Sequence, residues 1–134
     1  MTLPQKLEDA APVTTVAEAQ DRVADLLGPA TSRSLWFMML DRYGLQLPVL
    51  VPIDDIPLYP EPEKLTSMAL NFCSVLDAHG SGGSVILSLE RPGPAALTAP
   101  DQAWGAALQS AFGAVTRVMG LFLVHDDGIA VLDG

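Results

Sequence analysis

Ser84-Val-Ile-Leu-Ser-Leu89 is the stretch on which the fold turns. It is short, mostly apolar and rich in β-formers, so it reads as a strand. Upstream of it, Leu65, Met68, Ala69, Phe72, Val75 and Leu76 recur three or four positions apart. That spacing predicts an amphipathic helix beginning at Glu63, with Gly80 where such a helix stops. Downstream, Thr98-Ala-Pro-Asp101 is an N-cap signature, with Asp101 in the first turn where a negative charge complements the helix dipole. Trp104, Ala107, Leu108, Ala111, Phe112 and Val115 follow as a buried stripe, and Arg117 and Gly120 close that helix.

Further out, each side of this unit carries a hairpin. Leu35-Trp-Phe-Met-Met-Leu40 is continuously apolar, as expected of a strand covered on both faces, and Asp41 to Gly44 turns it into a second run, Leu45 to Val51. Pro48 and Pro52 cannot donate to a ladder, which puts this second strand at an edge or on a bulge. Ile53 to Pro62 is proline-rich and acidic and is read as irregular loop. At the other end Leu121 to Val124, the turn His125-Asp-Asp-Gly128 and Ile129 to Leu132 form a final hairpin. Ahead of everything, Thr15-Val-Ala-Glu18 has the pattern of a capping box at the start of a helix that Gly28-Pro29 ends. Residues 1–13 read as a flexible lead-in and 14–134 as a single domain. The expectation is an α/β (α+β) domain in three layers, order α-β-β-α-β-α-β-β, with a mixed sheet flanked by helices.

With 49% apolar and only 17% charged residues the chain has the composition of a folded domain. A net charge of −9 with seven scattered basic residues argues against nucleic acid as a partner, because phosphate binding needs clustered Lys and Arg. The same acidity repels an anionic membrane surface. A single cysteine, Cys73, and two histidines, His79 and His125, exclude an intrachain disulfide and a Cys-rich zinc site. With a single cysteine a reducing, cytoplasmic setting is expected, and the apolar runs are too short to span a bilayer.

The segment from Val85 through Glu90-Arg-Pro-Gly93 to Thr98 and Asp101, in this order of elements, resembles the metal-dependent JAB/RadC-like isopeptidase family. In that family the third strand ends in His-x-His-Pro-Ser-Gly, with a Ser and an Asp at the next helix start. The resemblance implies a JAB-like, cytidine-deaminase-like fold. It also implies that Leu89 and Arg91 stand where the family has its two metal-binding His, while Thr98 and Asp101 match the Ser and Asp. One carboxylate does not make a catalytic zinc site, so the chemistry of the family is expected to be lost.

Other candidates have ordinary readings beside the functional ones. His125-Asp126-Asp127 is turn chemistry before it is a metal cluster, and Asp54-Asp55 sits among solvated loop charges. Cys73 lacks a basic neighbour to lower its pKa and reads as a packing thiol. No cofactor and no metal is expected. The leading expectation is therefore a non-catalytic interaction or regulatory domain that binds a protein partner or forms a homodimer. Its surface would comprise Val49, Val51, Pro57, Leu58 and Tyr59. The loop bearing Leu58 and Tyr59 either presents them to a partner or folds back on its own core. Two alternatives stand beside it. One is a metal-dependent hydrolase with a non-standard site assembled from Asp54, Asp55, Thr98, Asp101 and His125. The other is a small-molecule binding module, which requires an apolar pocket between helix and sheet.

Overall fold

The computed structural model describes residues 12–28, 30–78 and 82–132; most of the expected lead-in, and also His79 and Gly80, lie outside them. The described chain is mixed α/β. Its elements are α1 (Val16–Leu26), β1 (Ser34–Leu40), β2 (Gln46–Asp54), α2 (Pro62–Ala78), β3 (Ser84–Glu90), α3 (Ala99–Gly113), β4 (Arg117–His125) and β5 (Gly128–Val131). The strands lie side by side in the order β2-β1-β3-β4-β5. β1 runs antiparallel to both β2 and β3, β3 and β4 are parallel, and β5 returns antiparallel to β4.

Alternation within the strands sorts the side chains into two cores. Leu35, Phe37, Met39, Val85, Leu87, Leu89, Leu121 and Leu123 face α2 and α3 and join Leu65, Ala69, Leu76, Trp104, Leu108 and Phe112. Met38, Leu40, Ile86, Phe122 and Val124 face the other way and meet Ala19 and Val23 of α1. This is why β1 and β3 show no clean alternation of polarity, for both sides of them are covered. Val13, assigned by sequence to the lead-in, is also in this second core, and its N–H donates to the Gly44 carbonyl at 2.7 Å.

Several boundaries differ from expectation. The expected irregular stretch after Val51 begins later, because β2 runs on through Pro52 and Ile53 to Asp54, paired with Ser34. Pro52 is tolerated there because β2 is the outermost strand, and the register shifts opposite the segment that holds Pro48. α3 ends at Gly113, and Arg117 and Gly120 belong to β4 instead of closing the helix. The parallel pairing with β3 overrides the local stop signals, and Gly120 has a packing role, for a Cβ there would lie 2.5 Å from the Phe122 ring. Val75, read as part of a buried stripe, is 39% exposed, and Val16 in the first turn of α1 is 49% exposed. Trp36 is only half-buried, its indole turned to a polar partner. Thr15 caps α1 as expected, yet the Glu18 carboxylate reaches the Thr14 N–H rather than that of Thr15.

Candidate functional site

β2, β3 and β4 all point the same way, so their C-terminal ends, the N-termini of α2 and α3 and the loops between them meet at one end of the sheet. Open α/β sheets place ligand sites at this end. Two corners are built there.

The first is the β3–α3 corner. Thr98 caps α3 with a reciprocal capping box: its hydroxyl accepts from the Asp101 N–H, and its own N–H donates to the Asp101 carboxylate. Asp101 is completely buried, and so, nearly, is the guanidinium that meets it. Arg91 Nε lies 3.1 Å from both carboxylate oxygens and Nη2 lies 2.7 Å from Oδ2. The remaining donors go to the Pro94 carbonyl at 2.6 Å and the Ala96 carbonyl at 3.0 Å. Gly93, at φ +121°, makes the turn that brings those carbonyls round the guanidinium. Burial works against ionising Asp101, but the Arg91 and Thr98 donors outweigh it and hold the carboxyl below its ordinary value. The corner is an electrostatic rivet whose polar atoms already have partners inside the chain.

One strand position earlier, Glu90 does the same for the loop between α1 and β1. Its carboxylate accepts from the Thr31 N–H at 2.7 Å, the Trp36 indole at 2.8 Å and the Ser32 N–H at 3.3 Å. Burial again opposes ionisation and these donors again overcome it, leaving Glu90 below its ordinary value. Both groups carry a signed consequence for pH. A depressed folded-state pKa contributes stability that is complete above the unfolded value, 4.5 for Glu and 3.8 for Asp, and is lost as pH falls through the folded value. Urea unfolding should therefore show a midpoint that drops in acid. Asp101→Asn and Glu90→Gln should each flatten that acid limb, and an unchanged limb in both variants would show the assignment to be wrong.

The second corner is the β2–α2 loop. Ile56 is buried, and Trp104 of α3 donates its indole N–H to the carbonyls of Pro57 at 3.2 Å and Leu58 at 3.0 Å. The backbone is thus tied to the core while the side chains of Leu58 and Tyr59 remain 53% and 52% exposed. Asp55 adopts φ +55°, the left-handed region that few residues other than Gly enter. Beneath the loop lies a cavity of about 170 Å³ walled mainly by Leu35, Ile53, Ile56, Leu65, Met68 and Trp104, with Asp54, Asp55, Glu61 and Lys64 around it.

No protein-family model and no curated protein matches the chain. What the site can do has to be read from its own groups.

Of the residues singled out by sequence, Pro57, Leu58, Tyr59, Asp54 and Asp55 share this corner. Val51 is half-buried against the α2 and α3 side of the sheet, which makes it core more than surface, and the side chain of Val49 lies outside the described set. The proposed constellation of Asp54, Asp55, Thr98, Asp101 and His125 is not assembled. Asp54 ends β2 and His125 ends β4, with β1 and β3 between them, a separation of about 14 Å at the usual strand spacing. Asp101 is committed to Arg91 and Thr98, and the His125 Nδ1 accepts the Asp127 N–H within its own turn. Among the described residues no three His, Cys, Asp or Glu side chains converge as a metal site, and no helix is long and apolar enough to cross a membrane. Cys73 has its thiol pushed up by burial and by Asp77, the opposite of an activated nucleophile.

Sequence reasoning missed Trp104 as the clamp of the loop, Glu90 as a pin, and Arg91 as the partner of Asp101. The last had a visible signal. An arginine at a buried strand end, ten positions before an acid at a helix N3, calls for a buried counter-ion.

Proposed function

We propose that the chain is a non-catalytic interaction or regulatory domain that contacts another protein through the Pro57-Leu58-Tyr59 loop and the adjoining end of β2. One observation carries this reading: two large apolar side chains stand half-exposed on a loop whose backbone is clamped by the Trp104 indole. A loop that merely folds onto its own core buries such groups. A loosely tethered one loses ordering entropy when it binds, whereas this one is held in shape beforehand. Tyrosine is also among the residues that concentrate binding energy at interfaces. The prolines of β2 discourage strand-on-strand addition, so contact is made by side chains.

Descent from a JAB/RadC-like, three-layer ancestor belongs to the same proposal. Its support is that Arg91 stands where that family places a metal-binding His, and that the guanidinium sits on Asp101, the position matching the family's acid. On this reading a fixed side-chain cation has taken the place of the metal, and a structural rivet has replaced the reacting centre. Self-association is the less favoured form of the interaction, since it brings the acidic surroundings of two copies together.

Site-specific photo-crosslinking tests the surface. A benzophenone side chain at position 59, in the cell of origin, is expected to yield a discrete adduct that a benzophenone at exposed Gln109 of α3 does not. Tyr59→Glu should weaken the same complex about tenfold or more. Equal crosslinking at both positions, or none at position 59, would dispose of the proposal. An adduct of exactly doubled mass would reassign the partner to a second copy.

A further inference from the structure

We infer that the cavity under the β2–α2 loop receives one apolar side chain of a partner segment whose flanking residues are cationic. This rests on reading the Leu58 and Tyr59 loop as a contact surface, and it adds what that surface selects.

The cavity sets the first half of the specification. At about 170 Å³ it is of the order of cavities lined by Leu, Ile and Phe that accept benzene, and so matches one branched aliphatic or aromatic side chain. Its deep walls, Leu35, Leu65 and Trp104, are buried and fixed by the core, while Ile53 and Met68 are half-exposed and form its mouth. Nothing among these walls rewards a polar head group, so the occupant is apolar where it enters.

The surroundings set the second half. Three carboxylates, Asp54, Asp55 and Glu61, stand round the cavity against one ammonium, Lys64, and that ammonium is already paired to Glu61 at 3.2 Å. The left-handed backbone at Asp55 turns the chain sharply between β2 and the loop, directly beside the mouth. A cationic neighbour on either side of the inserted residue meets this charge, and the net −9 of the chain favours encounter with a cationic segment. A second copy is the less favoured occupant, because two chains of net charge −9 repel one another. A free small molecule uses the cavity alone and leaves Leu58 and Tyr59 without a role, whereas a peptide segment covers both.

The test uses the intact protein and defined probes in ¹H–¹⁵N spectra. The first probe is a short acetylated and amidated Gly-Ser peptide with one central Leu flanked by pairs of Lys. Its counterparts have the Leu replaced by Ala, or the Lys replaced by Glu. Benzene is the last probe. The Leu-Lys peptide is expected to shift Ile56, Leu65 and the Trp104 indole N–H saturably, and each counterpart peptide to bind about tenfold or more weakly. Met68→Trp, which obstructs the mouth, should weaken the Leu-Lys peptide by a similar factor. Asp54→Asn combined with Asp55→Asn, both exposed, should weaken it too and reduce its sensitivity to salt. Unchanged affinity in both variants, or equal binding of the Lys and Glu peptides, overturns the inference. So does binding of benzene without the peptide, which would make the cavity a small-molecule site. The crosslinks at position 59 do not depend on the cavity, so their survival in Met68→Trp alongside a failed peptide test sinks this inference alone, and their absence sinks the contact surface itself.

Discussion

Arg91→Ala is expected to destabilise the protein by about 3–5 kcal/mol, the usual consequence of removing one member of a buried ion pair. For a domain of this length that lowers the thermal midpoint by roughly 10–20 °C. The reason is the carboxylate left behind. Asp101 has no exposed surface, and without the guanidinium its carboxylate is left with the Thr98 N–H of the capping box. The Pro94 and Ala96 carbonyls lose their donors as well. Replacing both partners with apolar groups, Arg91→Met with Asp101→Leu, should recover part of the loss, because the uncompensated charge is gone. The single variant also inverts the Asp101 share of the acid behaviour described above: an isolated buried carboxylate is most costly when ionised, so Arg91→Ala should lose less stability than the parent as pH falls, with Glu90 still supplying its own acid limb. Urea midpoints at neutral and acid pH for the three proteins decide the matter. A loss below about 1 kcal/mol in Arg91→Ala would place the pair among ordinary surface salt bridges.

Phe37→Ala is expected to cost about as much, roughly 3–5 kcal/mol, by a different route. Phe37 is almost fully buried in the middle of β1, with its ring stacked on Phe72 of α2 at 4.6 Å between centroids and tilted against Phe112 of α3 at 5.4 Å. Both helices thus pack a ring against this one side chain of the sheet. Truncation removes its buried area, leaves a void between two rigid layers and deletes two aromatic contacts, each contributing about 0.5–1.5 kcal/mol beyond area. Phe37→Leu, which keeps most of the volume, should cost appreciably less. Guanidinium unfolding of the two variants checks the order. Equal losses would mean that the site collapses around either side chain and that ring stacking contributes nothing distinct.

These two residues also mark the limit of what the chain's letters disclose. Phe37 was legible: an unbroken apolar run between turn signals is a strand covered on both faces, whatever its partners. Arg91 was legible only in outline, as an arginine at a strand end ten positions before an acid at a helix start. Its role needed the Gly93 turn to swing Asp101 of the next helix onto it. Trp104 announced itself as core by spacing, but a spacing says nothing of where an indole N–H points, and its clamp on the Pro57 and Leu58 carbonyls is what turns a proline-rich loop into a presented surface.

Local pattern by itself determined that helices and strands exist, which residues are apolar enough to line their buried sides, and that Thr15 and Thr98 begin helices, since propensity, period and capping act within a few residues. Tertiary structure alone decided where α3 yields to β4, how far β2 runs, and which charged groups meet. Those outcomes come from pairing and burial between segments far apart in the chain, where the free energy of closing the sheet exceeds the preference of any short window.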